Sequence, residues 1–164
     1  MAVAVLFTLQ VAGQVTLGEG DLAAALDAVR DKLDPAYLVG QLVLLASGQP
    51  VAYVQDDLEF TVQQVLEGIP ELAAGRSFAV GFSDAPGRVA LTPDGGTLRV
   101  TGEYFKPLAA PAAELLPALL GCCERFVAFA RSAYADQPEV QARIGQLDPW
   151  LAGARAALGG AGTA

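Results

Sequence analysis

Two cysteines and a group of carboxylates are the side chains of this sequence most able to do chemistry. The sequence contains no histidine. Without an imidazole, neither a Ser-His-Asp nor a Cys-His nucleophile pair can form, and no histidine base can act near neutral pH. Cys122 and Cys123 are adjacent, and neighbouring side chains on a helix point about 100° apart, which is poor geometry for a disulfide. We therefore expect buried, reduced thiols. A redox or soft-metal role is the alternative, although two ligands without a second pair make a weak metal site.

Three carboxylates, Asp56, Asp57 and Glu59, are close together in the sequence. Asp56 and Glu59 have the spacing of a capping box, so the group is expected to open a helix. Its alternative role is a carboxylate pair for hydrolysis or a site for a divalent ion. The sequence has neither the spacing of a calcium loop nor a phosphate-binding G-x-x-x-x-G-K-[ST] segment. We expect no cofactor, no metal and no catalytic residue.

The acidic residues are concentrated in the first half of the chain. The whole chain has a net charge of −8, whereas residues 76–164 carry eight acids and eight bases. Residues 1–75 carry ten acids against Arg30 and Lys32, so the net charge belongs to this half. An acidic balance argues against nucleic acid, whose phosphates require excess lysine and arginine. It favours a basic protein partner, although helix capping and solubility also explain acidic side chains.

Two predicted helices carry the candidate partner-binding residues. In the first, over residues 20–33, Asp27 and Asp31 are four residues apart on the outer face, opposite an apolar stripe. In the second, rotation of about 100° per residue places Phe60 among two amides and a carboxylate. An aromatic residue with a polar rim is typical of an interface anchor, unless another helix covers it. The predicted binding residues are Asp27, Asp31, Phe60, Gln63, Gln64 and Glu67.

The hydrophobic periodicity predicts an α+β fold. Alternating apolar residues over 3–11, 78–82, 89–91 and 98–100 indicate half-buried strands, and a turn at Ser47-Gly48-Gln49-Pro50 joins two more. The second helix is expected to begin at Asp56 and to end at Gly68 and Pro70. Helical stripes then cover most of residues 116–158, with Pro117 as a kink or the true helix start. We predict a single two-layer domain over residues 1–158, with a mainly antiparallel sheet of about five or six strands under C-terminal helices, and a flexible tail over 159–164.

The remaining sequence features bear on location and assembly. Residues 1–11 are apolar but have no basic segment before them, unlike a signal peptide, and no apolar run reaches the length of a membrane span. We expect a cytoplasmic protein that does not bind membranes. Apolar residues from Val140 to Leu158 have coiled-coil spacing, but Pro149 interrupts them. They are expected to pack on the domain's own core, with homo-oligomer formation as the alternative.

These observations favour a small non-enzymatic binding protein that presents an acidic helical surface to a basic protein, as an immunity protein or a chaperone does. One rival hypothesis is a small-ligand binder or enzyme with an apolar pocket between sheet and helices. It would use a carboxylate, Glu103 or Asp57, with Arg88 or Arg99. A deep cavity with converging polar groups would support it. The other rival is a structural homo-oligomer joined through the C-terminal helix.

Overall fold

The computed structural model describes residues 2–11, 15–83 and 86–160, which form eight strands and six α-helices. The chain is α+β, as the sequence predicted, and its strand pairs are antiparallel. The strands are β1 Val3–Val11, β2 Val15–Gly18, β3 Val39–Ala46, β4 Gln49–Asp57, β5 Phe78–Gly81, β6 Arg88–Asp94, β7 Thr97–Thr101 and β8 Leu108–Pro111. The helices are α1 Glu19–Ala24, α2 Leu26–Val29, α3 Leu58–Ala73, α4 Ala112–Ala133, α5 Pro138–Gly145 and α6 Asp148–Gly160.

The strands form two sheets of four rather than one sheet of five or six. The first sheet has the order β2-β1-β3-β4 and the second sheet the order β5-β6-β7-β8. The turn at Ser47 and Gly48 joins β3 to β4, and both residues have positive φ, which suits a tight hairpin. The α3 helix separates β4 from β5 along the chain and contacts strands of both sheets.

The alternating strands direct their apolar side chains toward the helices. On β1, Val5, Phe7, Leu9 and Val11 are buried, as the alternation predicted. The α4 helix lies against this strand, with the rings of Phe7 and Phe126 in edge-to-face contact at 5.7 Å between centroids. Pro117 lies inside α4, which begins earlier, at Ala112.

The apolar seam of the C-terminal helices packs inside the molecule. Val140, Ile144, Leu147 and Leu151 are all buried, and α6 packs against α3 and α4. The seam is therefore occupied within the chain. The predicted tail over 159–164 is wrong for its first two residues, because α6 continues through Gly159 and Gly160, and residues 161–164 lie outside the described residues.

The predicted helix over residues 20–33 is wrong as a continuous element. It is divided into α1, α2 and a 3₁₀ turn over Arg30–Lys32. None of the three segments has a side-chain cap. Gly20 and several aspartates are weak helix formers, and helices this short depend on packing for their stability. The buried positions Leu22, Val29 and Leu33 still face the core.

The α3 helix differs from its prediction at both ends. Its N-cap is Asp57, whose side chain accepts a hydrogen bond from the Glu59 amide at 2.9 Å, rather than Asp56. It runs past Gly68 and Pro70 to Ala73, and Gly75, with φ of +74°, follows its end. Gly68 has a packing role, because an added Cβ would lie 2.4 Å from the ring of Phe78.

Candidate functional site

Phe60 lies on the side of α3 that faces away from the core. Its side chain is 41% exposed, although Leu58, Val62 and Leu66 of the same helix are completely buried. The last helix therefore packs on α3 without covering Phe60. Gln63 is exposed one turn further along, and Glu67 follows it as a half-buried side chain. Phe60, Gln63 and Glu67 form the exposed strip of α3 that the helical periodicity predicted.

Gln64 does not belong to this exposed strip. Its amide nitrogen donates to the Gly81 carbonyl at 3.0 Å, and its amide oxygen accepts from the Gly81 amide at 2.9 Å. Both polar groups of the side chain are thus used to attach α3 to the end of β5. Gln64 joins two elements, and its prediction as part of an open polar rim needs this correction.

The two aspartates of the first predicted helix lie on separate segments. Asp27 is in α2, where its carboxylate accepts a hydrogen bond from Arg30 at 3.1 Å and its side chain is 97% exposed. Asp31 is in the 3₁₀ turn and is also exposed. The two aspartates therefore lie on two consecutive short helical segments rather than on one α-helix.

Arg143 of α5 connects the acidic segment to the helix that carries Phe60. Its Nε donates to both carboxylate oxygens of Glu59, at 2.7 and 2.9 Å, and its Nη2 donates to the Pro35 carbonyl. One guanidinium thus holds the loop after the 3₁₀ turn beside the first turn of α3. Sequence reasoning missed this residue, since its partners lie 84 and 108 positions away and no local pattern marks them.

The three neighbouring carboxylates have separate structural roles. Asp56 is buried and accepts hydrogen bonds from the amide and the hydroxyl of Ser83, while Asp57 caps α3 and Glu59 binds Arg143. Burial raises the pKa of the Asp57 carboxyl, against the lowering effect of its hydrogen bonds from the Glu59 and Phe60 amides. Within the described ranges, no group of three or more histidine, cysteine, aspartate or glutamate side chains is arranged to hold a metal ion.

Ion pairs use most of the basic side chains. Arg30, Arg76, Arg125, Arg131, Arg143 and Arg155 each pair with a carboxylate. The first half of the chain has only two bases, and one of them, Arg30, is committed to Asp27. Asp21 and Asp31 form no ion pair with any described residue, so this surface keeps an excess of negative charge.

Both cysteines are free and buried. Burial, followed by the nearby Glu19 carboxylate, raises the pKa of the Cys122 thiol to about 12. Burial likewise raises the pKa of Cys123 well above its ordinary value. Both side chains are protonated at neutral pH, so neither carries the thiolate needed for nucleophilic or redox chemistry.

The residues of the rival enzyme hypothesis lie outside the cavity between the two sheets. Arg88 and Arg99 are exposed on β6 and β7, whose inward-facing residues alternate with them. Glu103 lies in the loop after β7, beside Gly87, and Asp57 caps α3. The cavity between the two sheets is lined by apolar residues, and none of these four side chains reaches its wall.

Comparison with known proteins gives no match for this chain, whether to a family model, to a curated protein or to a solved structure. The part of the chain that the structure describes contains no helix with the length and apolarity needed to cross a lipid bilayer.

Proposed function

We propose that this protein is a non-catalytic binding protein that presents an acidic surface to a basic protein partner. The acidic surface is defined as Asp27, Asp31, Phe60, Gln63 and Glu67. The exposure of Phe60 is the observation that carries the proposal. Phe60 is a large exposed aromatic side chain on one strip of α3 with the amide of Gln63 and the carboxylate of Glu67, and this is the composition of a binding hot spot with a polar rim.

The arrangement of charge supports the same function. Asp27 and Asp31 project from short turns, and Arg143 fixes the following loop next to α3. Carboxylates displayed in this way attract a basic partner and orient it during the encounter, while Phe60 supplies apolar contact area. Inhibition of a basic toxin or protection of a basic client would both use such a surface. We further propose a cytoplasmic location, where the free thiols of Cys122 and Cys123 remain reduced.

Charge reversal tests this proposal. The protein is immobilised and used to capture partners from an extract of its native host, at low and at high salt. The double variant Asp27→Lys/Asp31→Lys should lose a basic protein that the unmodified protein captures at low salt. The matched control, Asp94→Lys/Glu114→Lys, changes the net charge equally at exposed positions outside the acidic surface and should retain most of the capture.

The salt dependence provides the second readout. Because exposed charges are screened within about 8–10 Å at physiological ionic strength, capture should weaken as salt is added. The proposal is contradicted if no basic protein is captured, or if capture persists unchanged through both the Asp27/Asp31 reversal and high salt.

A further inference from the structure

A cavity of about 60 Å³ lies between the two sheets, at the centre of the molecule. The inner faces of both sheets form its walls, together with residues of α3 and the first turns of α4. Protein interiors contain few voids larger than a water molecule, so this free volume is a departure from ordinary packing. Ala52 and Gly68 are among its lining residues, and valines make up much of the remainder.

One side of this cavity lies near the surface. Phe78, Phe105 and Leu119 line it and are only half-buried, which places them on the side nearest solvent. The opposite walls are deeper, since Val5 and Val100 each keep only 3% of their surface exposed. The entry for a small molecule is therefore beside Phe78, Phe105 and Leu119.

The side chains that line the cavity determine which kind of ligand can bind there. All the lining residues are apolar, and no polar side-chain atom faces the space. A buried water needs two to four polar partners, so water gains little here, whereas an apolar group gains the free energy of leaving solvent. A carboxylate would lose its hydration without finding a partner. The wall therefore favours an uncharged hydrocarbon group.

The volume sets the size of that group. A cavity of roughly 150 Å³ holds one benzene molecule, so on the same measure a cavity of about 60 Å³ has room for about two or three non-hydrogen atoms. This corresponds to a hydrocarbon the size of ethane or propane.

We infer that the cavity between the two sheets is a binding site for a small, uncharged hydrocarbon ligand of this size. The site is separate from the acidic surface, because Phe60, Asp27 and Asp31 are not among the residues that line it. Ligand binding in the cavity does not require partner binding at the acidic surface.

Methyl NMR of the full chain, with ethane under pressure as the probe, tests the inference. Ethane should shift the methyl signals of Leu44, Val54, Val65 and Leu91 in a saturable way. Acetate, which also has two carbon atoms, should leave these signals unchanged at the same concentration, since its carboxylate has no partner in the cavity. Shifts at Leu6 and Val43, on the outer face of the first sheet, would place the ligand elsewhere and overturn the inference.

A filled cavity gives the second test. Ala52→Leu places three more carbon atoms in the space, and each methylene-sized volume denied to the ligand lowers affinity by about fourfold. The matched control is Ala4→Leu, at an exposed position of the same sheet. If Ala52→Leu does not fold, Val89→Ile adds one methyl group and should lower affinity about fourfold. Absence of saturable ethane binding, or equal affinities for the cavity and control variants, contradicts the inference.

Discussion

The burial and the hydrogen bonds of individual side chains in this protein depend more on residues far away in the sequence than on adjacent ones. Cys122 and Cys123 are an example in which the local prediction was sufficient: the apolar stripe of α4 predicted burial, and both thiols are completely buried. Gln64 is the opposite example. Helical periodicity places it correctly on α3, but its partner, Gly81, lies 17 residues away in β5. No pattern within the helix distinguishes it from the exposed Gln63.

The thiols provide a prediction at the residue scale. Iodoacetamide at pH 8 should leave the native protein unlabelled, because both thiols are buried and protonated, and should label both cysteines after unfolding in guanidinium chloride. Mass spectrometry of the intact chain counts the adducts. Ser132→Cys, at an exposed position of the same helix, is the positive control and should react in the folded state. Rapid labelling of Cys122 or Cys123 in the native protein would be inconsistent with their burial.

The raised pKa values of the two thiols also determine how the free energy of unfolding changes at alkaline pH. The Cys122 pKa rises from 9.0 to about 12 on folding, so the folded state retains its proton over a range in which the unfolded state loses it. This contribution to the free energy of unfolding is fully present below pH 9.0 and is lost as the pH rises toward about 12. Cys123 acts in the same direction.

At the scale of elements, the exposed edge of β1 is closed by an ion pair. The β2 strand pairs with β1 only from Thr8 to Val11, which leaves the earlier part of that edge without a strand. Glu19 of α1 accepts a hydrogen bond from the Phe7 amide at 2.8 Å, and Arg125 of α4 donates to the Val5 carbonyl at 2.7 Å. The two side chains also pair with each other at 2.7 Å. They satisfy backbone groups that would otherwise form an open sheet edge.

Removal of this closure should destabilise the fold. Glu19→Ala leaves the Phe7 amide without its acceptor and the Arg125 guanidinium without its carboxylate partner, and we expect the free energy of unfolding to fall by about 1–3 kcal/mol. Urea denaturation measures the change. Glu114→Ala, at an exposed position in α4, should change stability by no more than about 0.5 kcal/mol. Equal changes in the free energy of unfolding for the two substitutions would show that the contacts of Glu19 at the edge of β1 do not stabilise the fold.

Helices and strands could be predicted from the sequence where one hydrophobic period continues over the whole element. The alternation in β1 and the helical stripe of α4 were both recognised. The segment from 19 to 32 was not, because three short uncapped turns keep nearly the same buried positions as one helix. The end of α3 was also misplaced. Gly68 and Pro70 are typical helix breakers, yet Gly68 is required for contact with Phe78.

At the scale of the whole molecule, the α+β class and the antiparallel pairing followed from the sequence, whereas the division into two sheets did not. Alternation identifies a strand but does not specify which strand edges meet, and α3 separates β4 from β5 without a sequence signal for a second sheet. The asymmetry of charge could be counted from the sequence. The arrangement of the acidic segments in space depends on long-range contacts, above all that of Arg143 with Glu59 and Pro35.

We propose that Phe60, together with the other residues of the acidic surface, binds a basic partner. The most direct measurement compares partner capture and thermal unfolding for the unmodified chain, Phe60→Ala and Tyr104→Ala. Tyr104 is the matched control, since it is 56% exposed and lies in the loop after β7, outside the acidic surface. Loss of an aromatic hot spot lowers affinity by about 30-fold, equivalent to about 2 kcal/mol.

We expect Phe60→Ala to lose capture of the basic partner while its melting temperature stays close to that of the unmodified protein, and we expect Tyr104→Ala to change neither property. The contrary result is unchanged capture by Phe60→Ala together with a clearly lower melting temperature. That outcome would make Phe60 a packing residue of the fold and would contradict the proposed binding surface.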